Sequence, residues 1–214
     1  MKLSRFKRSC VCGALLGPLL AVAPRTGWSA GGFLGIDSHV GGQATGIWSR
    51  TNQQILQDVT PVVVVGLALW EGDSSRLGHA SWQSVDSLVI GAATSEAMKR
   101  IFSRARPTQT DDPNQWFKGS GHRSFPSGEV MEITTAITPY VLEYGTDHPA
   151  VYALELLPLY DGIARVKSHA HWQTDVLASF ALGTGIGYYS HSRNVPISVE
   201  LLPRGLTVGW RRSF

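Results

Sequence analysis

Beyond Cys12 this 214-residue chain contains no cysteine, and its only two, Cys10 and Cys12, sit in the opening stretch "MKLSRFKRSCVCGALLGPLLAVAPRTGWSA". With that stretch removed, the remainder can form neither a disulfide framework nor a thiolate zinc site. The stretch itself lacks acids: it carries five Lys or Arg and no Asp or Glu. Lys2, Arg5, Lys7 and Arg8 precede an apolar run from Cys10 to Ala23, and the small residues Ser29-Ala30 follow Trp28. That order predicts a cleaved secretory signal over residues 1–30 and delivery across the inner membrane to the periplasm. The alternative is a retained anchor, against which the run falls short of the ~20 residues a span needs. Cys12 lies at the start of the apolar run, the wrong end for lipid attachment.

Long hydrophobic runs are also missing after Ala30, and mean hydropathy is −0.02, so no polytopic pattern is present. Nor does the chain keep a basic excess. Five of its 19 basic residues leave with the leader, so 14 face 16 acids and the net charge is about −2, which removes a nucleic-acid reading. The 184 residues of 31–214 suffice for a single domain with one core. No internal repeat or low-complexity tract interrupts them.

What is there reads as mostly helical. "IWSRTNQQILQDVTPVVVVGLALW", Ile47 to Trp70, predicts a helix with a proline near its middle, or a helix followed by a short buried run. Apolar residues at Val85, Leu88, Val89, Ala92, Met98, Ile101 and Phe102 suit an amphipathic helix from Trp82 to Ala105, stopped by Pro107. A polar, turn-rich loop follows. A third helix starts near Pro126, bends or breaks at Pro139 and ends before Gly145; a fourth starts near Pro149 and kinks at Pro158; a fifth runs from Gln173 to Ser190. The "GTGIG" in the fifth has no preceding strand, so close helix packing is the use expected of its glycines. Two β-branched runs around Pro203-Arg204-Gly205 predict a short C-terminal hairpin.

Three clusters could share one site. In "KRIFSRARP", Lys99 and Arg106 stand seven residues apart, two helical turns, and would share a face if the helix reached the proline; a solvated basic helix end is the plainer reading. In "SFPSGEV", Pro126 and Gly128 make a tight helix entry whose free N–H groups, with the Ser127 hydroxyl, form an anion cradle, unless it is an ordinary capped start. In "ARVKSHAHWQTD", His171 and Asp175 are i and i+4, with Arg165 upstream. There a helix would set the carboxylate beside the imidazole, to hold one ring N–H and leave the other nitrogen free. A surface His–Asp pair, or a metal site from His169, His171 and Asp175, are the competing readings. Together the three supply what phosphoryl transfer to a histidine needs: cations for the non-bridging oxygens, a backbone cradle and an oriented imidazole.

In order and spacing, Lys99 with Arg106-Pro107, then Pro126-Ser127-Gly128, then Arg165, His171 and Asp175 resemble the three-part signature of the type 2 phosphatidic acid phosphatase (PAP2) superfamily. That superfamily includes lipid phosphatases, periplasmic acid phosphatases and vanadium haloperoxidases. The resemblance covers roughly Trp82 to Tyr189 and implies an all-α bundle of about five core helices, with the C-terminal hairpin appended. It implies that His171 becomes phosphohistidine, that Asp175 orients it, and that Lys99, Arg106, Ser127, Gly128 and Arg165 bind the phosphate. No metal and no cofactor is implied. The substrate would be a phosphorylated lipid, with peripheral membrane contact, or a small soluble phosphate ester or pyrophosphate.

Two positions depart from the pattern. Ala164 replaces the usual serine before the last arginine, and Glu129 stands where the family has the histidine that protonates the leaving group. Repulsion from a bound phosphate favours a protonated carboxyl, so Glu129 is itself a candidate general acid. His122, in the loop, is a second candidate. Alternatively Glu129 pairs with one of the cations and partly closes the site, which suits a non-catalytic phosphate binder. The missing histidine counts against a haloperoxidase.

Overall fold

A computed structural model describes residues 31–41, 44–193, 197–202 and 205–210. The leader, its two cysteines and the turn at Pro203-Arg204 lie outside these residues. Five helices carry the fold: α1 (Arg50–Glu71), α2 (Arg76–Phe102), α3 (Gly128–Tyr144), α4 (Leu156–Lys167) and α5 (Gln173–Arg193). A 3-10 helix, Pro149–Glu155, leads into α4, which is where the expected kink at Pro158 falls: the proline sits in the first turn of α4 and needs no kink. At the C-terminus β1 (Ile197–Leu202) and β2 (Gly205–Trp210) pair antiparallel, Ile197 opposite Trp210 and Leu202 opposite Gly205.

α3 is the central helix. Val130, Met131, Ile133 and Ala136 are fully buried, and α2, α4, α5 and α1 all pack against it. That burial explains why Pro139 does not break the helix as expected. α3 runs unbroken to Tyr144, since packing on every side outweighs the one backbone hydrogen bond a proline removes. Pro61 is likewise carried inside α1. Small residues set the closest approach. A Cβ on Gly183 would meet Thr134 Cβ at 2.8 Å, and one on Gly187 would meet Thr138 Cβ at 2.5 Å, so these two glycines seat α5 on α3, as their spacing suggests.

α2 differs from its expected face. Only part of the apolar set that predicts its amphipathicity faces inward: Val85 and Leu88 pack against the core, while Val89 is 58% and Ile101 62% exposed and Ser81, Gln83, Ser84, Asp86, Ser87 and Ser95 are buried. The buried polar groups are largely paired: Tyr140 Oη donates to Ser81 Oγ (2.8 Å), Ser190 Oγ to Asp86 Oδ2 (2.9 Å) and Gln83 Nε2 to the His191 carbonyl (3.3 Å). α1 has the same outward character, with Ile55, Val59, Val62, Val63, Leu69 and Trp70 all exposed. No helix among the described residues is long and apolar enough to cross a membrane.

Candidate active site

α2 ends at Phe102, earlier than expected, because Ser103 takes a left-handed conformation (φ 31°) and turns the chain. Lys99 therefore projects from the last helical turn and Arg106 from the extended segment beyond it, and the two do not share a helix face. They still meet. Lys99, Arg106, Gly128, Glu129, Arg165 and His171 line one cleft of about 230 Å³ at the N-terminal end of α3. Burial is the main cause that lowers the pKa of Lys99, Arg106 and Arg165, and repulsion adds to it, from Arg106 and then Arg123 for Lys99, from Arg123 for Arg106 and from Arg50 for Arg165. Such a cluster favours an anion.

The cradle is built as its residue types require. Ser127 is the N-cap of α3, is fully buried, makes no capping bond with its side chain and has no hydrogen-bond partner for Oγ among the described residues. Arg165 Nε is also buried without a hydrogen-bond partner among the described residues. Two unmatched donors at a helix N-terminus carry an unmet demand for acceptor oxygens. Gly128 is needed for space: a Cβ there would stand 2.5 Å from Lys99 Nζ, so its absence lets the ammonium reach over the helix start.

His171 is 3% exposed and lies in the turn before α5, a turn tied by Ala170 N–H and His171 N–H to the Arg165 carbonyl (3.1 and 3.4 Å). Its Nδ1 is held by the Ser124 carbonyl at 2.6 Å, which makes that nitrogen the N–H donor. Asp175 Oδ2 stands 3.8 Å from the same nitrogen, too far for a hydrogen bond, so the direct Asp175-to-imidazole bond expected from the i, i+4 spacing is not formed. The carboxylate is engaged elsewhere. Its Oδ2 accepts from Ser124 Oγ (2.5 Å) and Trp172 N–H (2.9 Å), and its Oδ1 from Arg104 Nη1 (2.5 Å). Asp175 thus holds Ser124, and Ser124 holds His171, which leaves Nε2 as the ring nitrogen without a hydrogen-bond partner among the described residues. Burial pushes the His171 imidazole down to about 4, which keeps it neutral. Burial opposes the charge on Asp175 too, yet the imidazole, Arg104 and Ser124 outweigh it and hold that carboxyl below its ordinary range.

Glu129 does not stand free. Arg50 Nη1 donates to its Oε2 at 2.6 Å, and Arg165 Nη1 lies 3.2 Å from its Oε1, so in this structure it pairs with cations, the alternative its position also suggests. His122 is half-buried in the loop and does not line the cleft; His169 is bonded through Nε2 to the Val40 carbonyl (2.8 Å). Trp172 is fully buried and donates to the Ala105 carbonyl (2.9 Å), a packing role.

Several residues of the site escape sequence reasoning. Arg104, fully buried, donates to Asp175 and, through Nη2, to Asp37 Oδ2 (2.6 Å), which also accepts from Thr174 Oγ1 (2.7 Å). Gln53 accepts from Arg165 Nη1 (3.1 Å) and so helps to aim it. Asp161, one turn before Arg165 on α4, is fully buried with no hydrogen-bond partner on either oxygen among the described residues, and burial raises it to about 7. Only Arg104, inside "SRARP", had a local signal, as a second arginine in a basic run.

Comparison with known proteins agrees with this geometry. The family model of the PAP2 superfamily matches residues 81–195, more than half of the chain and the part that holds nearly all of the site. The protein belongs to the PAP2 superfamily. Among curated proteins it is 27% identical over 119 residues to the lipid A 1-phosphatase of Porphyromonas gingivalis, a match that takes in 55% of this chain and 24% of that protein's length. The chain thus spans about a quarter of the curated relative it matches. Among solved structures, the crystal structure of Aquifex aeolicus LpxE superposes with a TM-score of 0.51 at 18% identity, over 70% of this chain and 88% of that one, a likeness of fold.

Proposed function

We propose that this protein is a phosphatase that hydrolyses a lipid-linked phosphomonoester through a phosphohistidine on His171, on the periplasmic side of the inner membrane. The observation that carries the reading is the Ser124 carbonyl on Nδ1 at 2.6 Å, which fixes the proton there and leaves Nε2 as a neutral nucleophile in the cleft that Lys99, Arg106 and Arg165 line together with Glu96, Glu129 and Glu132. Nε2 attacks phosphorus in line and the bond to the leaving oxygen breaks. Lys99, Arg106, Arg165, Ser127 Oγ and the Gly128 N–H hold the non-bridging oxygens. Glu129 gives a proton to the leaving oxygen. Water then attacks the phosphohistidine and returns a proton to Glu129, which frees phosphate and restores His171. Bound phosphate competes for Arg165 and sets a like charge beside Glu129; both effects favour the proton on Glu129.

A lipid-linked substrate is supported by the relative named a lipid A 1-phosphatase, and by the aliphatic side chains that α1 and α2 leave in solvent. Gln57 of α1 lines the cleft, so a bilayer surface touching that helix would present a headgroup at the mouth. The Glu129–Arg165 ion pair favours a second reading, a site that binds phosphate without turnover. One experiment separates them: rapid-quench incubation with a radiolabelled phosphate ester, followed by denaturation. Label retained by the denatured parent and absent from His171→Ala supports the phosphatase; a parent that binds label only until it is denatured is a binder. For the acid role, Glu129→Gln should slow an alkyl phosphate far more than p-nitrophenyl phosphate. Equal rates to the parent on both esters would remove Glu129 from proton transfer.

A further inference from the structure

The cleft extends past the groups that hold phosphate. Three helices each place one residue at the phosphate end and a second one turn, about 6 Å, further along: Gln53 then Gln57 on α1, Lys99 then Ser95 on α2, and Gly128 then Glu132 on α3. Ser95 is 5% exposed and its Oγ has no hydrogen-bond partner among the described residues, whereas Ser81 and Ser87 of the same helix bond back to the carbonyls of Leu77 and Gln83 (2.7 and 2.8 Å). That free hydroxyl lies 3.4 Å from where a Cβ on Gly128 would stand, beside the phosphate cradle. Glu132 forms no ion pair among the described residues, and the one hydrogen bond to its carboxylate comes from Gln57 Nε2 at a long 3.4 Å. Burial raises this carboxyl above its ordinary range, and the charges of Glu129 and Asp58 add to the effect. Glu96 differs, being held by Arg100 (2.8 Å) and Arg123. Ala92 is the one apolar side chain lining the cleft. An alkyl group seated here would strip water from Ser95, Gln57 and Glu132 and offer them nothing, while hydroxyl groups would answer all three.

We propose that Ser95, Glu132 and Gln57 form a subsite for the alcohol half of the ester, one that selects a polyol with free hydroxyls close to the phosphate-bearing carbon over a plain alkyl alcohol. The inference rests on the phosphatase reading above and adds to it the class of the leaving alcohol. One hydroxyl donates to the Glu132 carboxylate and accepts from the Gln57 amide, and a second exchanges a hydrogen bond with Ser95 Oγ. In a lipid-linked substrate the polyol stands between the phosphate and the acyl chains.

The test uses the full chain with glycerol 3-phosphate and propyl phosphate, which share a carbon skeleton and differ by two hydroxyls. In the parent, kcat/KM for the glycerol ester exceeds that for the propyl ester by about 10- to 100-fold, and the ratio falls about threefold in Ser95→Ala and about tenfold or more in Glu132→Met. A parent ratio below about threefold, or variants that keep the parent's ratio, overturns the proposal. So does a preference for 3-aminopropyl phosphate over glycerol 3-phosphate, which would assign the carboxylate to an ammonium. A second measurement needs neither a variant nor turnover. By calorimetry, 3,4-dihydroxybutylphosphonate binds the parent about tenfold or more tightly than butylphosphonate; equal affinities overturn the proposal. Label trapping on His171 tests the phosphatase reading separately. A protein that traps label yet binds both phosphonates alike refutes the subsite alone, and one that prefers the diol phosphonate without trapping label supports the subsite and refutes the phosphatase reading.

Discussion

Replacing Arg104 with methionine removes the one cation between two fully buried carboxylates. The guanidinium donates to Asp37 at 2.6 Å, to Asp175 at 2.5 Å, to Thr174 Oγ1 at 2.8 Å and to the Pro113 carbonyl at 2.7 Å, and lies 4.3 Å from the Trp116 ring centroid. Methionine fills much of the volume and answers none of these acceptors. Breaking a buried ion pair by removing one partner costs about 3–5 kcal/mol, because the charge left behind is not solvated. Here two charges are left, so the upper part of that range applies. For a domain of this size about 2–4 °C of Tm accompanies each kcal/mol, which gives a fall on the order of 10–20 °C. Differential scanning calorimetry at neutral pH measures it directly. The double variant Asp37→Asn/Arg104→Met should recover part of the loss, since one of the two stranded charges is gone. A fall below about 3 °C in the single variant, or a double variant less stable than the single one, would refute the claim that this trio is desolvated and balanced.

Three further outcomes are expected. His171 is held near pKa 4 against an ordinary 6.5, so between those values the unfolded chain binds a proton that the folded one does not. The parent should therefore lose stability relative to His171→Gln as pH falls from 6.5 toward 4; unfolding curves across that window with a constant gap would contradict it. Gly128→Ala should keep the fold but push Lys99 Nζ aside, with phosphate turnover lowered on the order of 10²-fold; steady-state kinetics beside an unchanged circular dichroism spectrum reads this. Gly187→Leu forces α5 off Thr138 of α3 and should cost about 1–3 kcal/mol, seen as a Tm lowered by several degrees.

The site was legible where its residues sit in short, patterned stretches, and hidden where pairing depends on chain distance. Lys99, Arg106, Ser127, Gly128, Arg165 and His171 meet because three local motifs each end at the same end of the bundle. Arg50 and Glu129 are 79 positions apart, and Asp37 and Thr174 are 137 apart, so no periodicity joins them. The i, i+4 spacing places Asp175 near His171 but does not show that the Ser124 carbonyl, from a different segment, accepts the ring N–H bond. Helix faces misled for a related reason. α2 carries enough small hydroxyl and amide groups to form a bonded interior, so Val89 and Ile101 face outward while Val85 and Leu88 pack against the core. Pro139 alone predicts a bend or break, and the helix runs on through it because α3 is packed among its neighbours.

The short segment before α1 has a practical consequence. Gly31 and Asp37 exchange backbone hydrogen bonds of 2.8 and 2.9 Å, and this loop delivers Asp37 to Arg104. A protein trimmed to begin at α1 would retain each cation of the cleft and its helix content, yet Arg104 would face a single acid and the support beneath His171 would loosen. Expression designs that start too late would therefore yield material that looks intact by spectroscopy and is inert in assay.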